Sequence, residues 1–241
     1  MATTLNKDFA FPSNAALFLD FDGTLVGFQD NPYSVHLANS EISCLLNLND
    51  KLDGALAIIS GRDIVDLSKR VPIALWRIGN HGLYSAAPDT PPPNDLPKFS
   101  SDIRRKIDTV MSQVPEIWIE DKGPVLAIHH RKKPALGLAI SQAISPLLAP
   151  LKTHIIQVGN CVVEIKPASA NKGIGLRKQM TRDPFLGRIP IMIGDDTTDE
   201  EGFIAAKKLG GFGIKIGHGP TQAKYNLLNI QDLYSFLRLP T

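Results

Sequence analysis

The stretch that most constrains this chain is Ala15-Ala16-Leu17-Phe18-Leu19-Asp20-Phe21-Asp22-Gly23-Thr24-Leu25. It opens on an unbroken apolar run, the pattern of a short strand buried on both faces. The carboxylates cannot share the core such a strand needs. Asp20 and Asp22 therefore belong at the strand's C-terminal mouth, where open parallel sheets bind ligands. One carboxylate there can be a nucleophile or metal ligand. A second, two positions on, can work as acid and base if the chain turns sharply between them, and Gly23 permits that turn. The N–H groups of such a turn can cradle an anion, and crowded carboxylates invite a divalent cation that accepts oxygen ligands and water, as Mg²⁺ does. These are the parts of a phosphoryl-transfer site. A strand-ending turn with solvated Asp residues is the plainer alternative.

The same grammar recurs along the chain. Ala55–Ile59 reads as a second buried strand running into Ser60-Gly61-Arg62-Asp63 and a helix from Ile64 to Val71. Ser60 and Gly61 at that helix start form a candidate phosphate site. Ile189–Ile193 is a third such strand, ending in Gly194-Asp195-Asp196-x-x-Asp199 before a helix from Phe203 to Leu209. An acidic helix start explains Asp199, Glu200 and Glu201 by the macrodipole, but it explains Asp195 less well. Asp195 is therefore the first candidate metal ligand, with Asp196 or Asp199 behind it. Lys172 precedes a helix from Ile174 to Met180 and could neutralise the nucleophile and bind phosphate. Residues 1–14 read as a lead-in, and Val26–Asn39 as a loop carrying Pro32. A helix capped by Ser40 runs to Leu52 with Ile42, Leu45, Leu46 and Leu52 as its apolar stripe. Leu75–Ile78 and Phe212–Ile216 read as strands, and Asp232–Leu239 as a closing helix.

The middle of the chain has a different rhythm. A proline cluster between Ala86 and Pro97 reads as a domain edge. Beyond it come a helix (Ser101–Val114, with Ile103, Ile107, Val110 and Met111 inward) and strands Ile117–Glu120 and Val125–Arg131. A helix (Pro134–Leu148) and strands His154–Val158 and Cys161–Lys166, joined by Gly159-Asn160, complete it. This αββαββ order implies an antiparallel sheet with helices on one face. The expected fold class is α/β: a Rossmann-like core with a parallel sheet, residues 1–84 and 168–241, interrupted by an α+β insertion, residues 85–167.

Bulk properties exclude several classes. With 26 Lys and Arg against 24 Asp and Glu, nothing suggests a nucleic-acid partner. No apolar run approaches the ~20 residues a membrane span needs, and the first residues lack a signal-peptide layout, so a cytoplasmic location is expected. Cys44 and Cys161 lie in apolar patterns and read as reduced core residues.

Together, Asp20-Phe-Asp22-Gly-Thr24, Ser60-Gly-Arg62, Lys172 and Gly194-Asp195-Asp196-x-x-Asp199 resemble, in order, the four motifs of the haloacid dehalogenase superfamily. The insertion is similar to that superfamily's C2-type cap. Gly79-Asn-His81-Gly82, Glu120-Asp-Lys122-Gly123, His129-His-Arg131, Val162-Val-Glu164-Ile-Lys166-Pro167 and Gly194-Asp-Asp-Thr-Thr-Asp-Glu200 resemble the trehalose-6-phosphate phosphatases within it, over about Ala15 to Leu239. His130 departs from that pattern, which commonly has an aromatic residue there. The resemblance implies Mg²⁺-dependent hydrolysis of trehalose 6-phosphate, the last step of trehalose biosynthesis, and a functional link to a trehalose-phosphate synthase. It implies Asp20 as nucleophile, Asp22 as acid and base, and Ser60, Gly61 and Lys172 as phosphate ligands. The metal would be held by Asp20, the Asp22 carbonyl and Asp195, with Asp196 or Asp199 in support.

In the resembling family the cap closes over the sugar. Alternation along strands puts Glu120 with Lys122, His129 with Arg131, and Glu164 with Lys166 on shared faces, suited to a polyhydroxylated ligand. These residues and His81 are the expected sugar contacts. A sucrose 6-phosphate phosphatase, a phosphosugar mutase, a receiver domain and a non-catalytic sugar-phosphate sensor are the rival readings.

Overall fold

A computed structural model of the chain describes residues 2–5, 9–29, 34–114, 116–159 and 161–238. The expectations placed on Pro32, Asn160 and Leu239 lie outside the described residues. The chain divides into two compact units, residues 1–93 with 171–241, and residues 94–170.

Numbered along the chain, the first half of the larger unit holds β1 (Thr3–Thr4), β2 (Ala15–Leu19), α1 (Asn39–Lys51) and β3 (Leu56–Ile59). It continues through α2 (Ile64–Ser68), β4 (Trp76–Gly79) and β5 (Tyr84–Ala86). The smaller unit holds α3 (Ser101–Met111), β6 (Trp118–Lys122), β7 (Val125–His129), α4 (Gly137–Ile144), β8 (His154–Gly159) and β9 (Val162–Pro167). The chain then returns to the larger unit through α5 (Lys172–Gln179), β10 (Ile189–Gly194), α6 (Thr197–Lys208), β11 (Phe212–Ile216), β12 (Tyr225–Leu227) and α7 (Ile230–Leu237).

The larger unit is built on one eight-stranded sheet, ordered β1-β12-β11-β10-β2-β3-β4-β5. Every pairing is parallel except the β4–β5 edge. From β2 the strand order runs outward one way to β3 and β4 and the other way through β10, β11 and β12. The reversal falls between β2 and β10, paired with Ile193 beside Leu19. Loops at the C-terminal ends of these two strands splay apart, which makes the ligand crevice of such sheets. Every residue of β2 is fully buried, so the run shows no alternation. Phe18 packs against Phe185, and Leu17, Leu19 and Phe21 complete the centre of the core.

The smaller unit pairs its strands antiparallel in the order β6-β7-β9-β8. Ile103, Ile107 and Met111 of α3 and Ile140 and Ile144 of α4 bury against Leu126, Ile128, Val163 and Ile165. These sheet residues share one face, so the opposite face carries Trp118, Glu120, Lys122, His129, Glu164 and Lys166.

Several local expectations are revised. Ala38, not Ser40, caps α1, because the Glu41 carboxylate reaches back and accepts from the Ala38 N–H at 2.7 Å. Lys172 is already inside α5, which Asn171 caps by accepting from the Ile174 N–H. Tyr84–Ala86 pairs antiparallel with β4, so the smaller unit begins at Asn94 rather than near residue 85. Strand β7 stops at His129 and leaves Arg131 exposed in the following turn, so these two do not share a strand face. Cys44 and Cys161 are both free thiols, but Cys161 is only half-buried, at a left-handed φ of 57°.

Candidate active site

The ends of β2 and β10 bring together the first and last of the motifs. Lys172 is buried and its Nζ donates to Asp20 Oδ1 at 2.5 Å and to Asp199 Oδ1 at 2.6 Å. Thr24 Oγ1 donates to Asp195 Oδ1 at 3.0 Å, which ties the turn after β2 to the turn after β10. Gly23 makes that approach possible. Its φ is +85°, and a Cβ built on it would fall 2.2 Å from Asp195 Oδ2. Any larger residue would expel the Asp195 carboxylate from its place.

Three carboxylates share this space with one ammonium, and the electrostatics follow. Burial, then the charge of Asp199, raises the Asp20 carboxyl well above the usual range, with Lys172 opposing. Burial and Asp199 push Asp195 up to about 6. Burial works against the Lys172 ammonium, but Asp199 and Asp20 more than reverse it and hold Lys172 charged. Among the described residues, Asp20, Asp195 and Asp199 form the group able to hold a metal ion, with one ligand atom from each within 4.8 Å of the others. An all-oxygen donor set with surplus negative charge fits a hard divalent cation.

Asp199 has a second duty. Its Oδ2 accepts from the backbone N–H groups of both Asp195 and Asp196 at 3.0 Å. With Oδ1 on Lys172, this buried carboxylate is committed to shaping the loop and seating the lysine. Asp196 turns the other way and accepts from Thr197 N–H at 2.6 Å as the cap of α6. Lys215, on β11, donates to the Asp195 carbonyl at 2.6 Å. Sequence reading missed Lys215, because its distance of twenty residues from Asp195 leaves no local signal.

Asp22 is held differently. The Arg62 fork donates to it twice, Nε to Oδ2 and Nη2 to Oδ1, each at 2.7 Å. Arg62 also donates through Nη1 to Asp66 at 2.9 Å and lies over the Phe21 ring. Arg70 in turn donates to both oxygens of Asp66. The two arginines pull the Asp66 carboxyl below its ordinary value against the effect of burial. The bidentate guanidinium engages both Asp22 oxygens and fixes the orientation of that side chain.

Ser60 follows β3 and is buried, its Oγ accepting from the Arg62 N–H. Segment 80–82 is latched to this turn. Asn80 N–H donates to the Arg62 carbonyl, His81 N–H to the Ser60 carbonyl, and Asn80 Oδ1 accepts from the Ile64 N–H. Asn80 and His81 both adopt left-handed φ, 50° and 55°. The His81 ring lies on Gly61 so closely that a Cβ there would fall 2.5 Å from Cε1. Gly61 therefore makes room for His81 within the candidate phosphate turn.

In the smaller unit, Lys122 Nζ lies 3.1 Å from Glu164 and 3.8 Å from Glu120, and His129 Nε2 is 2.9 Å from Glu120. Lys166 lies on the same face and is buried. Among the sugar contacts expected in this unit, five are gathered on one sheet face and Arg131 lies beyond it.

Residues 18–231 match the family model described as trehalose-phosphatase. The chain is 35% identical to trehalose-6-phosphate phosphatase of Escherichia coli K12 over 94% of its own length and 86% of the relative's. The trehalose-6-phosphate phosphatase C-terminal domain of C. albicans superposes with a TM-score of 0.82 at 20% identity, covering 98% of this chain and 97% of that one. A sugar phosphatase of haloacid dehalogenase subclass IIB has the same fold, with a TM-score of 0.61 at 14% identity over 93% of this chain and 96% of the other. With its core motifs gathered at the switch point of a parallel sheet, the chain belongs to the trehalose-phosphatase family.

Proposed function

We propose that this chain hydrolyses trehalose 6-phosphate to trehalose and phosphate, with Asp20 as the nucleophile. One observation carries the chemistry: buried Lys172 bridges Asp20 and Asp199 at 2.5 and 2.6 Å beside Asp195. Lys172 favours the charged form of the Asp20 carboxylate against the opposing effects of burial and Asp199, and aims it through its hydrogen bond. The family relation supports the substrate, and the polar sheet face of the smaller unit supports a sugar ligand.

In the proposed sequence, an Asp20 oxygen attacks phosphorus in line and the P–O bond to the sugar breaks, leaving an aspartyl phosphate on Asp20. The departing O6 takes a proton from Asp22, which enters this step protonated and is held in position by Arg62. Asp22 then accepts a proton from the water whose oxygen attacks phosphorus, and Asp20 is released as carboxylate. Ser60, the N–H groups around Gly61, and Lys172 bind the phosphoryl oxygens. Asp20, Asp195 and the Asp22 carbonyl would hold Mg²⁺, with Asp199 in support. That ion supplies charge neutralisation for the transferring phosphoryl group. Glu120, Lys122, His129, Arg131, Glu164, Lys166 and His81 are proposed to bond the sugar hydroxyls.

The covalent step is tested by trapping. With Asp22→Asn, release of the phosphoryl group from Asp20 slows. Acid-quenched reaction with trehalose 6-phosphate and Mg²⁺ then yields a phosphorylated peptide containing residue 20. A variant that turns over substrate in a single-turnover burst without any such peptide would remove the covalent step.

A further inference from the structure

The polar face of the smaller unit's sheet carries one large aromatic surface. Trp118 opens β6 at the edge of the sheet and is 40% exposed. Directly across the ladder stands His129, and the two rings lie parallel, with centroids 3.9 Å apart and planes 10° apart. His129 is fixed in turn by Glu120, 2.9 Å from its Nε2. The stack covers one face of the indole, so its exposure belongs to the other face and the rim. Holding a flat apolar surface in water gains nothing for folding.

The neighbours on that face narrow what could cover it. Glu120 and Glu164 are matched by Lys122 and Lys166, so the face has no net charge to attract an ion. It is dense in hydrogen-bonding groups. That combination fits a neutral, hydroxyl-rich ligand. A pyranose has two kinds of surface: hydroxyl edges that need hydrogen-bond partners, and C–H faces that gain from an apolar plane. The ion-paired residues serve the first, and Trp118 is the apolar plane beside them.

We propose that Trp118 is the platform on which a glucosyl ring of the disaccharide lays its C–H face, with His129 as the backing that holds the indole. This rests on the trehalose 6-phosphate reading and adds a specificity-determining residue to it. It also gives His129 a positioning part, through the indole, alongside the direct hydroxyl contact proposed above.

The chain has two tryptophans, and Trp76 lies half-buried against Phe185 in the larger unit. Trp76→Phe therefore leaves Trp118 as the sole indole reporter. Titrating that protein with trehalose should change its fluorescence saturably. Trp118→Ala should raise KM for trehalose 6-phosphate about 5- to 10-fold with little change in kcat, the scale of one lost aromatic contact. Trp118→Phe, which keeps a ring and guards against misfolding, should recover most of it. An unchanged KM in a folded Trp118→Ala variant, or an indole signal that trehalose does not move, overturns the platform. A native protein that binds trehalose at Trp118 but fails to hydrolyse trehalose 6-phosphate would instead sink the catalytic reading and leave the platform standing.

Discussion

Asp195→Asn isolates the electrostatic cost of assembling the acidic cluster. Burial and the charge of Asp199 displace the Asp195 carboxyl from 3.8 to about 6, equivalent to about 3 kcal/mol of unfavourable interaction in the ionised form. The sign follows from linkage. The folded group holds its proton to higher pH than the unfolded one, so the penalty is absent below about 3.8, grows through the interval, and is complete above about 6. An asparagine at this position removes the charge and keeps an oxygen that can accept from Thr24 Oγ1. In chelator at pH 7 the variant should unfold with about 1–3 kcal/mol more free energy than the native chain, and melt several degrees higher. Acidifying the native chain from pH 7 to pH 5 should recover part of the same stability, and the variant should show a shallower slope. Added Mg²⁺ should stabilise the native chain far more than the variant. Urea or thermal unfolding in chelator at both pH values reads all of this. A variant no more stable than the native chain in chelator at pH 7 would refute the reasoning.

Three further outcomes are expected. Arg62→Ala should lower kcat on trehalose 6-phosphate by about 10-fold or more as Asp22 loses its fork, and Arg62→Lys should recover only part, because an ammonium cannot donate in bidentate fashion; steady-state kinetics decide, and an unchanged kcat would show that this anchoring is unused. Gly61→Ala should impair turnover without unfolding the chain, since its Cβ would strike the His81 ring at 2.5 Å; kcat/KM beside a circular-dichroism melt checks it. Ile107→Ala, at a fully buried position of α3, should cost about 2–4 kcal/mol on urea unfolding.

The parts of the fold visible in the sequence are those with a strong local signature. The runs at β2, β3 and β10 are apolar throughout and end in small or acidic residues, so both the strands and their ligand-facing ends could be read. The insertion was legible through its hairpins and the helical spacing of Ile103, Ile107 and Met111. Strands of two or three residues, such as β1, β5 and β12, are too short to show a period, and they are defined by their neighbours. The cap of α1 was misplaced because Glu41 does the capping from inside the helix. Within the site, residue identities were legible but pairings were not. Asp22 and Arg62 lie forty residues apart, and Lys215 twenty from Asp195, so only the fold joins them. The split of duties between Asp196, which caps a helix, and Asp199, which seats Lys172, depends on where α6 begins.

Phosphate release in the presence of Mg²⁺ tests the central claim most directly. The panel is trehalose 6-phosphate, sucrose 6-phosphate, glucose 6-phosphate and a small aryl phosphate, with Asp20→Asn and chelator as controls. The expected result is a strong preference for trehalose 6-phosphate, abolished by both controls while Asp20→Asn keeps its fold. Equal or better turnover of sucrose 6-phosphate or of the aryl phosphate would contradict the substrate assignment. Near-native turnover by Asp20→Asn would contradict the chemistry itself.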